Sequence, residues 1–281
     1  MNNARSAATY DTPTEFHITV ERTGDRATEL LHVQSQLTKG RIKHAMRCGA
    51  VWLTRGKKTQ RLRRQSRPLR IDDVVHLYYD HRVLDTQPIA PTLIEDAGVF
   101  SVWDKPSGLR SQGSKWGDHC TVVRWAEQHL DPQRNGFTVH RLDRAASGLI
   151  IVAHSKSAAA HLSGQFRDRT VDKRYRATVE GIVELANEPL VIDTPIDDKA
   201  AHTEVALRST DADQQTSVLD VTIKSGRKHQ IRRHLAELGH TIVGDRLYGN
   251  ASSDDIDLQL RAIALAFDHP ETGMRMAYKL Q

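Results

Sequence analysis

The chain has 281 residues, enough for one large domain or for a domain with a small module. Its two cysteines, Cys48 and Cys120, lack metal-ligand spacing and a disulfide framework. No run of about 18 apolar residues spans a bilayer, and polar Met1 to Thr14 lacks a signal peptide's core, so the expected location is the cytoplasm. A net charge of +5 and an isoelectric point near 9.2 favour an anionic partner.

Residues 1–14 read as a disordered leader. Phe16 to Val20 alternates as a strand does, and Ala27 to Leu37 and Lys39 to Cys48 have helical apolar spacing, with Gly49 placed to end the second helix. Ala50 to Leu53 and a stretch within Leu69 to Tyr79 read as strands. Residues 15–80 thus form a compact module of two helices and short strands. Its charge is uneven: Lys39 to Arg70 holds twelve lysines and arginines and no acid, while the rest of the chain sums to −7. The run crosses a helix, the turn at Arg55 to Lys58 and a loop with Arg61, Arg63, Arg64 and Arg67, and it includes Trp52. A charge run is often only a solvated face, but this one fits binding to a phosphate backbone. Residues 81–92, with Pro88 and Pro91, read as a linker.

From residue 93 the pattern changes. Leu93 to Trp103 reads as a strand leading into a turn forced by Pro106 and Gly108. Gly113 to Asp118 is a polar loop, and Cys120 to Leu130 is helical. Leu149 to Ala153 is an uninterrupted apolar run, expected as a buried strand. Lys156 to Arg169 is a helix, and Lys173 to Gly181 a strand closed by glycine. Strands follow near 189–194, 203–209 and 216–224, then a helix from Gly226 with Ile231, Leu235 and Leu238 on its apolar face. Ser252 to Asp257 is acidic and exposed, and Leu258 to Phe267 returns as a strand.

Several chemistries are excluded by pattern. His229 and His234 are five apart and share no helix face as metal ligands four apart do. No nucleophile elbow, phosphate loop or dinucleotide fingerprint occurs. What remains is Asp143 between Arg141 and Arg144 at the entry to the buried strand, Tyr175 on a basic strand, and the Gly226-Arg227 helix with its arginines and histidines. Taken alone, Asp143 suits a structural ion pair as well as a catalyst.

Together the stretches resemble the RluA-type pseudouridine synthases. His140-Arg141-Leu142-Asp143 followed by Ser147-Gly148-Leu149 is similar to that family's signature. Asp104-Lys105-Pro106-Ser107-Gly108 resembles its Asn-Lys-Pro-x-Gly turn, and Lys173 to Gly181 its tyrosine strand. Gly226-Arg227-Lys228-His229-Gln230-Ile231-Arg232 resembles its Gly-Arg-x-His-Gln-x-Arg helix. Gly244-Asp245, Tyr248-Gly249 and His269-Pro270 follow in the family's order. The likeness covers about residues 93–275. Two departures stand out: Ala146 where the pattern has Thr, and Arg261 where it has His. Residues 15–80 more loosely resemble the small α-L RNA-binding module of a ribosomal small-subunit protein and several RNA-modifying enzymes.

The resemblance implies an α+β catalytic domain at 93–281, on a mainly antiparallel mixed sheet flanked by helices, behind the basic module. It implies isomerisation of uridine in structured RNA, ribosomal or transfer RNA, by a monomer needing no metal, nucleotide cofactor or membrane; the basic module favours ribosomal RNA. Asp143 is expected as nucleophile or base, Arg232 as its orienting cation, and Tyr175 as the ring against uracil with a phenol that assists removal of the C5 proton. Arg141 is expected to fill the place of a base flipped from its helix. Arg144 keeps an ion-pair reading. His140, Lys105, Arg227, Arg233, His229, Arg61, Arg63 and Arg64 are expected RNA contacts. Two other readings stay open: an RNA-binding assembly factor without catalysis, hinted at only by Ala146, and a nucleic-acid glycosidase, which would release free uracil.

Overall fold

The computed structural model describes residues 10–185, 189–249 and 256–280. Most of the expected leader and of the acidic stretch at 252–257 lies outside them. Tyr10, placed in the leader, is anchored: its hydroxyl donates to Ser35 O at 2.7 Å and its ring meets Phe16 edge-on.

The chain divides into two compact units, residues 1–88 with 112–124, and residues 89–111 with 125–281. The first contains β1 (Thr14–Thr19), α1 (Ala27–Ser35), α2 (Lys39–Arg47), β2 (Val51–Arg55), β3 (Lys58–Arg61), β4 (Val74–Tyr79) and the single-turn α3 (His81–Leu84). The strands form an antiparallel sheet in the order β1-β4-β2-β3. Alternation fixes its two faces: Val51, Leu53, Val75 and Leu77 are buried in one core with Leu31, Ile42 and Met46, while Trp52, His76 and Tyr78 stand on the other side. β3 has no apolar alternation to betray it, and α3 is a single turn inside the expected linker, its Asp80 side chain accepting from Arg82 N.

Two expected RNA contacts also have partners inside this unit. Arg61 pairs with Asp118 Oδ2 at 2.9 Å, donates to Gly49 O and Ser114 O, and lies 4.2 Å above the Trp52 ring. Arg63 grips the same carboxylate and donates to Arg47 O at 2.9 Å. Both pin residues 112–118 within this unit, a long-range use that a charge run cannot announce. Arg64 is exposed, as are eight of the twelve cations between Lys39 and Arg70. Arg64→Ala is therefore expected to lower the salt slope of RNA binding by about 0.7–0.9, one phosphate contact. Arg63→Ala is expected to lower the melting temperature instead. Salt titrations and thermal melts of the two variants separate these outcomes.

The second unit holds β5 (Thr92–Asp96), β6 (Phe100–Lys105), most of α4 (Val122–His129), β7 (Phe137–Thr138), β8 (Ser147–Ala153), α5 (Lys156–Asp168) and β9 (Asp172–Glu180). After them come β10 (Leu190–Ile192), β11 (Thr203–Asp211), β12 (Thr216–Ile223), α6 (Gln230–Glu237), β13 (Leu260–Asp268) and β14 (Arg275–Lys279). The sheet runs β10-β11-β12-β9-β13-β8-β6-β5, with β14 beside β13 and β7 beside β8. Its described pairings are antiparallel except for β13 with β8, so the fold is the expected α+β with a mainly antiparallel mixed sheet. β8 is buried from Gly148 onward, and its Leu149 and Ile151 share a core with Phe100, Leu162 of α5 and Phe267. β13 reaches β8 closely because of Gly148: at φ 106° it takes a conformation glycine accepts, and a Cβ there would collide with the backbone of Ala262.

Candidate active site

Asp143 lies in the loop entering β8, and that loop is clamped from the turn after β6. Ser111 Oγ donates to Leu142 O at 2.7 Å and accepts from Leu142 N at 2.9 Å. Gly108 N donates to Arg144 O at 2.9 Å, and Arg144 Nε donates to Gly108 O at 3.1 Å. Lys105 adds the third hold. Expected at an RNA phosphate, it is fully buried, and its ammonium donates to the carbonyls of Pro106, Leu109 and Arg144 at 3.0, 2.8 and 3.3 Å. Burial lowers it to about 8 against the pull of Asp143 and Asp104. The loop therefore needs no hydroxyl at Ala146, which is buried against the cavity.

Arg261, the other departure, pairs at 2.7 Å with Asp104, which stands where the resembled turn has Asn. The two exchanges meet as one ion pair across β8, since β6 and β13 flank that strand.

His140, also expected at the RNA, is built into the support. Its Nε2 accepts from Ile151 N at 2.9 Å and its ring stacks on Phe166 with centroids 4.3 Å apart. Burial, helped by Lys173, lowers it to about 3, so it stands neutral.

Arg232 is the hub. Leaving the first turn of α6 with 6% of its side chain exposed, it reaches Asp143 Oδ2 through Nη1 at 3.3 Å. Its Nε and Nη2 form a two-point pair with Asp245, each at 2.7 Å. Asp245 is 1% exposed and also accepts from Leu247 N and Tyr248 N. Burial alone would raise this carboxyl, but Arg232 and the two amides hold it below the ordinary carboxylate range. In the sequence Asp245 stands only as a loop landmark. The available signal was a lone acid after Gly244, in a loop following the arginine-rich helix.

His229 precedes α6 in the left-handed region at φ 55°. Its Nε2 lies 3.7 Å from Asp143 Oδ1 and its Nδ1 is 2.9 Å from the Tyr248 hydroxyl. Burial pushes it below the ordinary histidine range, against the pull of Asp143.

Tyr175 on β9 stands in one register row with Ala262 of β13 and Gly148 of β8, which sets it beside the Asp143 loop. It is 8% exposed. Burial first, and then the Asp143 charge, push the phenol above its ordinary range.

These groups line one cavity of about 220 Å3. Asp143, Tyr175, His229 and Arg232 share it with Arg141, Arg227 and Lys228, and Ile223 and Leu260 add apolar wall. Arg141 is exposed, while Arg227 is tethered by Nε to Ala200 O at 3.0 Å. Arg233 pairs with Asp197 at 2.9 Å. Of the expected site residues, the structure thus gathers Asp143, Tyr175, Arg232, Arg141, Arg227 and His229, and it withdraws Lys105 and His140 into the support. Among the described residues no group of three or more His, Cys, Asp or Glu could hold a metal ion, and no helix is long and apolar enough to cross a membrane. A carboxylate held by a buried cation beside a ring in a cavity of this size suits attack on, or proton removal from, a flat polar ring system.

The sequence profile of the RNA pseudouridylate synthases matches residues 99–237. The dual-specificity RNA pseudouridine synthase RluA of Salmonella typhimurium is 36% identical over 212 residues, covering 69% of this chain and 94% of that protein. RluA of Escherichia coli K12 is 36% identical over 211 residues, covering 69% and 93%. In three dimensions the human RNA pseudouridylate synthase domain containing 1 has the same fold, with a TM-score of 0.58 at 21% identity, covering 70% of this chain and 86% of the other.

Proposed function

Given that the chain belongs to the RluA-type RNA pseudouridine synthases, we propose that its cavity isomerises particular uridines of ribosomal RNA to pseudouridine, as a monomer in the cytoplasm. The observation that carries this reading is the Asp143 carboxylate held by Arg232 in the cavity that Tyr175 lines. The bond from uracil N1 to ribose C1′ breaks, the base turns, and C5 bonds to C1′; C5 gives up a proton and N1 gains one. No oxidant and no group donor enters that balance. Asp143 either attacks to start the cleavage or takes the proton that does so. Arg232 fixes the carboxylate by a charge-assisted bond, and its second carboxylate, Asp245, keeps the guanidinium from swinging away. The target uridine leaves its stack, and Arg141, exposed at the cavity, takes its former place.

Tyr175 acts through its ring. A phenol pushed above its ordinary range stays protonated and is a poor base for the C5 proton. Tyr175→Phe is therefore expected to keep activity within about tenfold, while Tyr175→Ala loses about a hundredfold or more. Rates of tritium release from RNA labelled at uridine C5 read both, and equal losses in the two variants would return the proton to the phenol.

The same assay tests the function. Release by the wild type with no free uracil supports isomerisation, whereas free uracil would make the protein a glycosidase. Ribosomal RNA is favoured over transfer RNA by the exposed cations between Lys39 and Arg70, outside the profile match, which suit a large folded target. Mapping pseudouridines in a deletion strain decides it: a site lost from transfer RNA, with ribosomal RNA unchanged, reverses the choice.

A further inference from the structure

The sheet face of the first unit that points away from α1 and α2 has no part in the reaction above. Along one register row its four strands present His17, His76, Trp52 and Arg61 side by side. Tyr78 stands one step along β4, with its ring stacked toward His76 and edge-on to His17 at 5.8 Å. The turn closed between Ser114 and Gly117 then brings Trp116 edge-on to Tyr78 at 5.8 Å.

That turn is fixed in place. Trp52 Nε1 donates to Lys115 O at 3.0 Å, and Asp118 is gripped by Arg61 and Arg63. Cations cap the rings: Arg61 lies over Trp52, and the Lys115 ammonium lies 4.9 Å from the Tyr78 ring and 5.2 Å from the Trp116 ring. Glu15, an acid on this face, is paired with Lys115 at 2.6 Å and with His17 at 3.6 Å.

A row of rings with interleaved cations has a definite chemical preference. Unpaired bases stack on aromatic and imidazole faces whatever their sequence, and Arg and Lys meet the phosphates between them. A paired helix shows no free base face to such a surface. A protein interface of this size would be depleted in lysine, and the central row carries no aliphatic side chain.

We propose that this face is a second RNA-binding surface, a stacking platform for unpaired nucleotides of the substrate. The proposal rests on the reading of the chain as an RNA-modifying enzyme and names the form of RNA that its first unit holds. On binding, Lys115 gives up its place over Tyr78 and Trp116 to a base and moves its charge to the adjoining phosphate.

The test uses the full chain, an unstructured RNA decamer and a blunt duplex of the same length. Trp116→Ala and Tyr78→Ala are each expected to lose about five- to a hundredfold in affinity for the decamer and little for the duplex. Trp116→Phe and Tyr78→Phe keep a ring and are expected to stay within about threefold of wild type, which separates lost stacking from a disturbed fold. On folded substrate the alanine variants should raise KM and leave kcat unchanged. Unchanged decamer affinity in both alanine variants overturns the proposal, as does an equal loss on the duplex. Loss of a co-purifying protein with RNA affinity intact would make the face a protein-docking surface. If the wild type released no tritium from any RNA, the isomerase reading would fall while the decamer measurement still judged the platform.

Discussion

Replacing Asp143 by asparagine is expected to lower tritium release from C5-labelled RNA by roughly 10⁴-fold or more, while RNA affinity stays within about threefold of wild type. The exchange keeps the shape of the side chain and removes only its charge and basicity. It should not unfold the protein, because Arg232 retains its two 2.7 Å bonds to Asp245. The loop itself is held through backbone groups, by Ser111, Gly108 and Lys105, none of which touches the Asp143 side chain by hydrogen bond. A folded Asp143→Asn variant that still turned over would remove Asp143 from the chemistry.

Asp245→Ala should be the most damaging change that leaves every substrate-facing residue in place. It strips a buried guanidinium of its better partner, and breaking such a pair costs about 3–5 kcal/mol. For a unit of this size that is a fall in melting temperature of about 6–20 °C. Arg232 would then hold Asp143 through one bond with nothing to fix its own angle, so kcat should fall with little change in KM. A melting temperature within a degree of wild type would show that the two-point pair carries no stability. Acid acts on the same support. The folded-state position of Asp245 is lowered, so its contribution is present at neutral pH and is lost as pH falls through the carboxylate range. His140 is also lowered, from an ordinary 6.5 to about 3, so its contribution is complete above about pH 6.5 and is lost as pH falls between those values. Melting temperature should therefore begin to fall below about pH 6.5, well before the carboxylates titrate.

The elements that were legible in the sequence are those whose apolar pattern is strong and local. β8, α5 and α6 were expected within one to four residues of where they lie, because each buries a stripe or a run. β3 and β14 were missed: one is built from Lys, Thr, Gln and Arg, and the other lies off the main path, paired only with β13. The motif residues Asp143, Tyr175 and Arg232 do meet, though Arg232 follows Asp143 by 89 positions. The internal partners that the sequence hides share one physical origin. Lys105, His140, Arg61 and Arg63 are polar, so each reads as a surface contact. Each is instead satisfied by a distant carbonyl, ring or carboxylate, and pairing over such separations leaves no periodic trace. Asp245 is the converse, a chemical support hidden in a loop.

The position of β13 makes it the joint of the sheet. In the sheet it stands between β9 and β8, yet it comes near the end of the chain. A nascent chain made as far as Tyr248 already has Asp143, Tyr175, Arg232 and Asp245. It lacks the strand that joins the β10–β9 half to the β8–β5 half and sets Tyr175 in row with Gly148. The reactive groups are thus encoded ahead of the strand that joins the two parts of the sheet on which they stand.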